Sequence, residues 1–296
     1  MSRYGLLALD LDGTLLDSRG RVSPRNKAAV RAARDAGMRV VVCTGRGLAE
    51  CRHVLEQIDQ SDPVVVAGGS IIADPQTART LHRFPVHVPL VERTVRVLLG
   101  RGHPALVLKD PHDAGYDYLV VQGEAAHPLD PVTEWWFASM NVRVRFARRL
   151  EEDAHPEHTV RVGACGLSGV LGEIRRDLLE AAEGEAVVHS FPAVVAPEHA
   201  SRCPDGQSLH ILELFHARAT KWAAISHLAA GWGLEPTDIA AIGDEVNDVS
   251  MIAGAGLGVA MGNAVPVVRD AAKVHTAGND DDGVAVAVER ILTGAW

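Results

Sequence analysis

Residues 10 to 16 read Asp10-Leu11-Asp12-Gly13-Thr14-Leu15-Leu16 and close the apolar run Tyr4 to Leu11, so two carboxylates stand where a buried strand ends and the chain turns. Side chains alternate along a strand, which sends Asp10 and Asp12 to similar sides while Leu9 and Leu11 go into packing. Carboxylates so placed repel each other unless a cation lies close by. A hard cation held by carboxylate and carbonyl oxygens offsets that repulsion, and magnesium is the usual choice beside phosphates. An acidic turn built only on Asx and glycine chemistry is the other reading of this stretch.

Outward from it, the sequence alternates strand and helix signals. An amphipathic stretch runs from Pro24 to Gly37; strand-like runs follow at Arg39 to Cys43, ending in Thr44-Gly45-Arg46, and at Pro63 to Ala67, ending in Gly68-Gly69-Ser70. Continuous apolar strands separated by helices indicate a parallel sheet covered on both faces with right-handed crossovers. Such sheets bind ligands at the carboxyl ends of their strands. The rhythm resumes late in the chain, with a helix from about Lys221 to Ala230, a strand at Asp238 to Ile242 leading into Gly243-Asp244, and a strand at Leu257 to Ala260 leading into Met261-Gly262-Asn263.

Between these halves the pattern changes. Strand-like runs at Ala105 to Leu108, Tyr116 to Val121, Val142 to Phe146, Thr159 to Ala164 and Ala186 to Phe191 surround two helix-like stretches, Pro131 to Met140 and Ser168 to Glu183. The expected fold is therefore α/β, a Rossmann-like doubly wound parallel sheet formed by residues 1–83 and 215–296, with an α+β domain inserted at 84–214. No internal repeat or low-complexity segment interrupts this plan.

With 296 residues, 47% of them hydrophobic, the chain can bury a large core, and its formal charge of -9 leaves no basic excess for a nucleic-acid or anionic-membrane partner. Cys43, Cys51, Cys165 and Cys203 are too sparse for a disulfide framework and form no CxxC pair, which fits reduced, buried thiols. The N-terminal apolar stretch is broken by Asp10 and Asp12 and reads as neither signal peptide nor membrane anchor. A cytoplasmic protein, monomeric or a small homo-oligomer, acting on a small molecule is the expectation. The fourteen histidines show no HxxxH or HxH spacing, and the close pair His155 and His158 flanks Pro156 with no third ligand evident. Trp135 and Trp136 read as packing or interface residues.

The motifs DLDGTLLDS at 10 to 18, VVCTGR at 41 to 46, Lys221 and GDEVNDVSM at 243 to 251 occur in an order that resembles the haloacid dehalogenase superfamily, in particular its Cof-type sugar-phosphatase-like branch. The segments Met261-Gly262-Asn263-Ala264 and Asp282-Gly283-Val284-Ala285 look like the ending of that branch, so the resemblance covers nearly the whole chain. It implies a magnesium-dependent phosphatase whose cap lies between the second and third motifs. Asp10 would be the nucleophile and a metal ligand, and Asp12 the general acid/base with its backbone carbonyl on the metal. A carboxylate attacks phosphorus in line to give an aspartyl phosphate, and a second carboxyl protonates the leaving oxygen before activating water. That second group must arrive protonated, which asks its surroundings to favour the proton.

By the same resemblance, the Thr44 hydroxyl and Gly45 amide bind a phosphate oxygen, Lys221 neutralises the phosphoryl group, Asp244 is a further metal carboxylate, and Asn247 and Asp248 orient the phosphate, the nucleophile or a metal-bound water. Each has a plainer reading: Thr44 a helix N-cap, Lys221 a solvated surface residue, and Asp244 to Asp248 an acidic helix start. Gly68-Gly69-Ser70 stands where Asn-Gly-Ala is common in the branch, Trp222 where glycine is common, and Pro192 to Gln207 is a long connection. Arg143, Arg145 and His189 are candidates for contacts to the leaving group. The substrate expected is a sugar phosphate or phosphorylated cofactor precursor. A phosphomutase using the same aspartyl phosphate and a non-catalytic phosphate-binding regulatory protein are the alternatives.

Overall fold

The computed structural model describes residues 3–193 and 208–296 in two compact units, Met1–His82 with Thr220–Trp296, and Arg83–Ala219. Cys203 and most of the Pro192 to Gln207 connection lie outside the described residues.

In the first unit Leu6–Leu9 is the central strand. It pairs in parallel with Arg39–Val42 on one side and Ile239–Gly243 on the other, and the sheet continues through Leu257–Ala260 to Val274–His275. A parallel bridge from Cys43 to Val65 brings Val64–Val66 alongside Arg39–Val42. Every residue of Leu6–Leu9, Ile239–Gly243 and Leu257–Ala260 is buried, so the sheet is covered on both faces and its strands read as unbroken apolar runs. Helices Pro24–Asp35 and Gly283–Leu292 pack on one another, while Lys221–Gly231, Val249–Gly254 and Pro266–Ala271 form a second group. This is the doubly wound α/β arrangement expected from the sequence. Ser23 starts the first helix by accepting from Asn26 N at 3.0 Å, with Pro24 at the position where a missing N–H costs nothing.

The second unit is built on a six-stranded sheet in the order Ala186–Pro192, Leu209–His216, Thr159–Leu167, Ala105–Lys109, Tyr118–Val121, Val144–Ala147. All neighbours are antiparallel except the last pair. Helices Val88–Gly100 and Ser168–Ala182 pack on each other and on Thr159–Leu167, and Leu90, Val91, Val95, Leu98, Leu171 and Ile174 lie in one buried cluster. The sequence reading names two helices in this region and misses Val88–Gly100. Its apolar spacing is helical, but Val88, Val91, Val95 and Val97 are β-branched and weaken the local helix signal. Trp135 and Trp136 sit half-buried in helix Pro131–Ser139, edge to face at 6.2 Å. Cys43, Cys51 and Cys165 are buried free thiols. No helix among the described residues is long and apolar enough to cross a membrane.

Candidate active site

Strand order reverses between Leu6–Leu9 and Ile239–Gly243: the chain moves outward from the first on one side and returns through the second on the other. The crevice beyond the carboxyl ends of two such strands is where open α/β sheets hold ligands. Asp10 follows the first strand and Asp244 the second, and Asp10 N donates to Ile242 O at 3.1 Å, fixing the one against the other.

Lys221 opens the helix Lys221–Gly231, whose preceding Thr220 caps it by accepting from Ala223 N at 3.1 Å. Its buried Nζ donates to Asp10 Oδ1 and to Asp248 Oδ1, each at 2.6 Å. Asp248 uses its other oxygen to accept from the N–H groups of Asp244 at 3.0 Å and Glu245 at 3.1 Å. One ammonium thus bridges two carboxylates, and the second of these holds the turn that presents Asp244. Thr14 Oγ1 donates to Asp244 Oδ1 at 2.8 Å, and Asn263 Nδ2 donates to Gly13 O at 2.8 Å and to Asp244 Oδ2 at 3.3 Å. Gly13 has φ of +74°, and a Cβ there would lie 2.2 Å from Asp244 Oδ2, so only glycine lets the two loops meet.

Carboxylate oxygens of Asp10, Asp244 and Asp248 lie within 4.8 Å of one another. Burial, reinforced by Asp248, raises the Asp10 carboxyl well above its ordinary range despite Lys221. Burial and Asp248 likewise push Asp244 up to about 7. For Lys221, burial alone would lower the pKa, but Asp10 and Asp248 outweigh it and hold the ammonium charged. The cluster is short of positive charge. Its donors are hard oxygens, so the residues present fit a magnesium ion, which would relieve the repulsion that burial imposes.

Thr44 is buried at the end of its strand, its Oγ1 accepting from Arg46 N at 3.1 Å. It is not a helix N-cap. The following helix is Leu48–Gln57, whose cap is Gly47, and Glu50 reaches back to the Gly47 N–H. The Asn247 side chain lies against Gly45, 3.7 Å from where a Cβ would be, and its Oδ1 is buried without a hydrogen-bond partner. Turning the amide would present a donor at that place, so the position can serve an anion.

Asp12 does not join the carboxylate cluster with its side chain. Arg46 holds it in a forked ion pair, Nε to Oδ2 at 2.9 Å and Nη2 to Oδ1 at 2.5 Å. Arg46, Thr14 and Asn263 lie within or beside the motifs, yet their sequence alone assigns them no role; Arg46 meets Asp12 across 34 positions, which spacing does not reveal.

A family model for haloacid dehalogenase-like hydrolases matches residues 7–124 and 204–288. The chain belongs to this family. Among relatives of this haloacid dehalogenase-like hydrolase, 5-amino-6-(5-phospho-D-ribitylamino)uracil phosphatase YwtE of Bacillus subtilis strain 168 is 28% identical, with 98% of this chain and 99% of the relative covered. Pyridoxal phosphate phosphatase YbhA of Escherichia coli K12 is 25% identical, with 95% and 96% covered. The crystal structure of a haloacid dehalogenase-like hydrolase from Bacteroides thetaiotaomicron superposes with a TM-score of 0.77 at 26% identity, over 97% of this chain and 99% of that one.

Two positions near the site, Gly69 and Trp222, have a local packing explanation. In Gly68-Gly69-Ser70, Gly69 has φ of +109°, and a Cβ on it would fall 2.3 Å from the Thr220 carbonyl carbon and 2.7 Å from Lys221 N. Its bare Cα lets this loop press on the backbone that carries Lys221. Gly69→Ala is expected to cost about 1–3 kcal/mol from backbone strain alone and to lower kcat further by displacing Lys221; urea unfolding and steady-state kinetics read the two effects, and parent-like values in both would refute the contact's importance. Trp222, which stands where glycine is common in the branch, lays its ring against Gly254, where a Cβ would come within 2.4 Å of it. In the second unit Arg143 pairs with Asp117 at 3.1 Å, Arg145 stacks over the Tyr116 ring at 4.5 Å, and the His189 ring lies 5.7 Å from that of Phe215.

Proposed function

We propose that this hydrolase is a magnesium-dependent phosphatase that cleaves the phosphate monoester of a small metabolite, a sugar phosphate or phosphorylated cofactor precursor, through an aspartyl phosphate on Asp10. The observation that carries this reading is the buried Asp10–Lys221–Asp248 chain beside Asp244 at the carboxyl ends of adjacent parallel strands. The relatives named as a 5-amino-6-(5-phospho-D-ribitylamino)uracil phosphatase and a pyridoxal phosphate phosphatase support a small phosphorylated metabolite as substrate class.

Asp10 attacks phosphorus, and Lys221 favours its charged form against burial and Asp248 and neutralises the incoming anion. Thr44, Gly45 and Asn247 bind phosphoryl oxygens. Asp12 gives a proton to the leaving oxygen and then takes one from the attacking water. Arg46 holds both oxygens of Asp12 in the structure, so the carboxyl must exchange that partner for the substrate oxygen. Asp10, Asp244 and the backbone carbonyl of Asp12 would hold magnesium, which supplies positive charge to the phosphoryl oxygens, with Asp248 steadying Asp244 from behind. Residues 84–214 are assigned as the cap that selects the leaving group, with Arg143, Arg145 and His189 as candidate contacts.

Phosphate release from a panel of sugar phosphates and cofactor phosphates tests the reading. Release is expected with magnesium, loss after exhaustive chelation, and recovery on adding magnesium but not calcium, whose looser coordination lets a nucleophilic carboxylate bind it with both oxygens. Full turnover in the chelated protein would refute the metal assignment, and no release from any monoester would refute the phosphatase.

A further inference from the structure

The second unit holds a group of metal-ligating side chains unrelated to the aspartate cluster. His155, Glu157 and His158 each offer a ligand atom, all within 4.8 Å of one another. They lie on and beside the short turn Pro156–His158, where His158 N donates to His155 O at 3.1 Å. The turn is anchored from beneath. His155 N donates to Asp153 Oδ1 at 3.0 Å, and His155 O accepts from Lys109 Nζ at 3.1 Å, Lys109 and Asp153 forming a fully buried ion pair.

The two ring nitrogens of His158 face different groups. Nε2 lies 3.1 Å from Glu157 Oε1. Nδ1 is buried with no hydrogen-bond partner and lies 3.9 Å from Asp113 Oδ2. Asp113 is placed there because His158 O accepts from Asp110 N at 2.8 Å, and Asp110 caps the turn of helix Pro111–Ala114 that carries it. An imidazole that binds a metal through one nitrogen donates its other N–H, commonly to a carboxylate, and that donation fixes the tautomer and strengthens the ligand. His158 therefore has a carboxylate on its Nδ1 side and a second ligand on its Nε2 side.

We propose that His155, Glu157 and His158 form a binding site for a divalent transition ion of the zinc type, with Asp113 behind His158. Two imidazoles and a carboxylate suit zinc and leave a fourth position open, whereas magnesium prefers an all-oxygen site. Zinc bonds of roughly 2.0–2.1 Å at tetrahedral angles put ligand atoms about 3.4 Å apart. The His158–Glu157 separation already meets this, and the remaining closure, at most about 1.4 Å from the 4.8 Å limit, falls to exposed or half-buried side chains.

Equilibrium dialysis of the untagged full chain against zinc chloride, with magnesium in large excess, is expected to leave one zinc per chain, and cobalt in its place should give the intense visible absorption of a tetrahedral site. The His155→Ala/His158→Ala double variant should retain none, with its magnesium-supported phosphate release unchanged. Glu157→Gln, at an exposed position that does not threaten folding, and Asp113→Asn should each weaken zinc binding by roughly 10–100-fold. No zinc on the parent chain, displacement by magnesium, full retention by the double variant, or parent-like affinity in both single variants would each overturn the site. These readouts stand whether or not the phosphatase reading holds.

Discussion

Asp10→Asn is expected to reduce phosphate release from every substrate to background, a loss of about 10⁴–10⁶-fold, the scale on which removal of a nucleophile acts. An amide does not attack phosphorus, so no leaving-group activation rescues it and no radiolabelled phosphoryl-enzyme accumulates after acid quench. The protein itself should remain folded. Burial and the neighbouring Asp248 raise the Asp10 pKa, so its ionised form opposes folding, and that cost is present at pH values above the ordinary aspartate pKa. Replacing the carboxylate with an isosteric amide removes the cost, while Lys221 keeps its 2.6 Å bond to Asp248. A melting temperature within a few degrees of the parent's is therefore expected in the metal-free protein. Substantial turnover by the folded variant, on any ester, would remove Asp10 from the role of nucleophile.

The parts of the site that the sequence makes legible are those whose residues are adjacent or fall at strand ends. Asp10 and Asp244 stand one residue beyond unbroken apolar strands, and the structure puts those strands side by side. Lys221 was read only through the order of motifs, since a lone lysine opening a helix is ordinarily exposed; burial between Asp10 and Asp248 is a tertiary fact that no local pattern carries. Arg46 stayed hidden because its partner, Asp12, lies far away in sequence, and a guanidinium after a strand reads as surface. The Thr44 cap reading failed for the opposite reason. A threonine after a strand has the local pattern of a cap, but the chain takes three more residues, Gly45 to Gly47, before Leu48–Gln57 begins. His155 and His158 seemed short of a third donor because the usual templates space ligands along a helix or strand, whereas the Pro156–His158 turn gathers Glu157 beside them.

Asp12→Asn should fail in a different manner from Asp10→Asn. The backbone carbonyl at position 12 is unaltered and Asp10, Lys221 and Asp244 are untouched, so the attack on phosphorus should persist where the leaving group needs no proton, as in p-nitrophenyl phosphate. Alkyl phosphates depend on protonation of the departing oxygen, and their turnover should fall by the 10²–10⁴-fold typical of a lost general acid. Hydrolysis of the aspartyl phosphate then stalls for want of a base, by a similar factor. A burst of nitrophenol close to one equivalent, followed by a slow steady state, is the expected trace, with phosphoryl-enzyme trapped by acid quench during the slow phase. Arg46 sharpens the test. Its forked pair with Asp12 is half lost when one oxygen becomes an amide nitrogen, so some disorder of the loop is expected in the variant. An Arg46→Gln variant loses the fork yet keeps the Asp12 carboxyl, and it should hydrolyse p-nitrophenyl phosphate without a burst. A burst in Arg46→Gln as large as that of Asp12→Asn would trace the stall to loop geometry. Equal losses on activated and alkyl esters in Asp12→Asn, with no burst and no trapped intermediate, would count against Asp12 as acid and base while leaving Asp10 as the nucleophile.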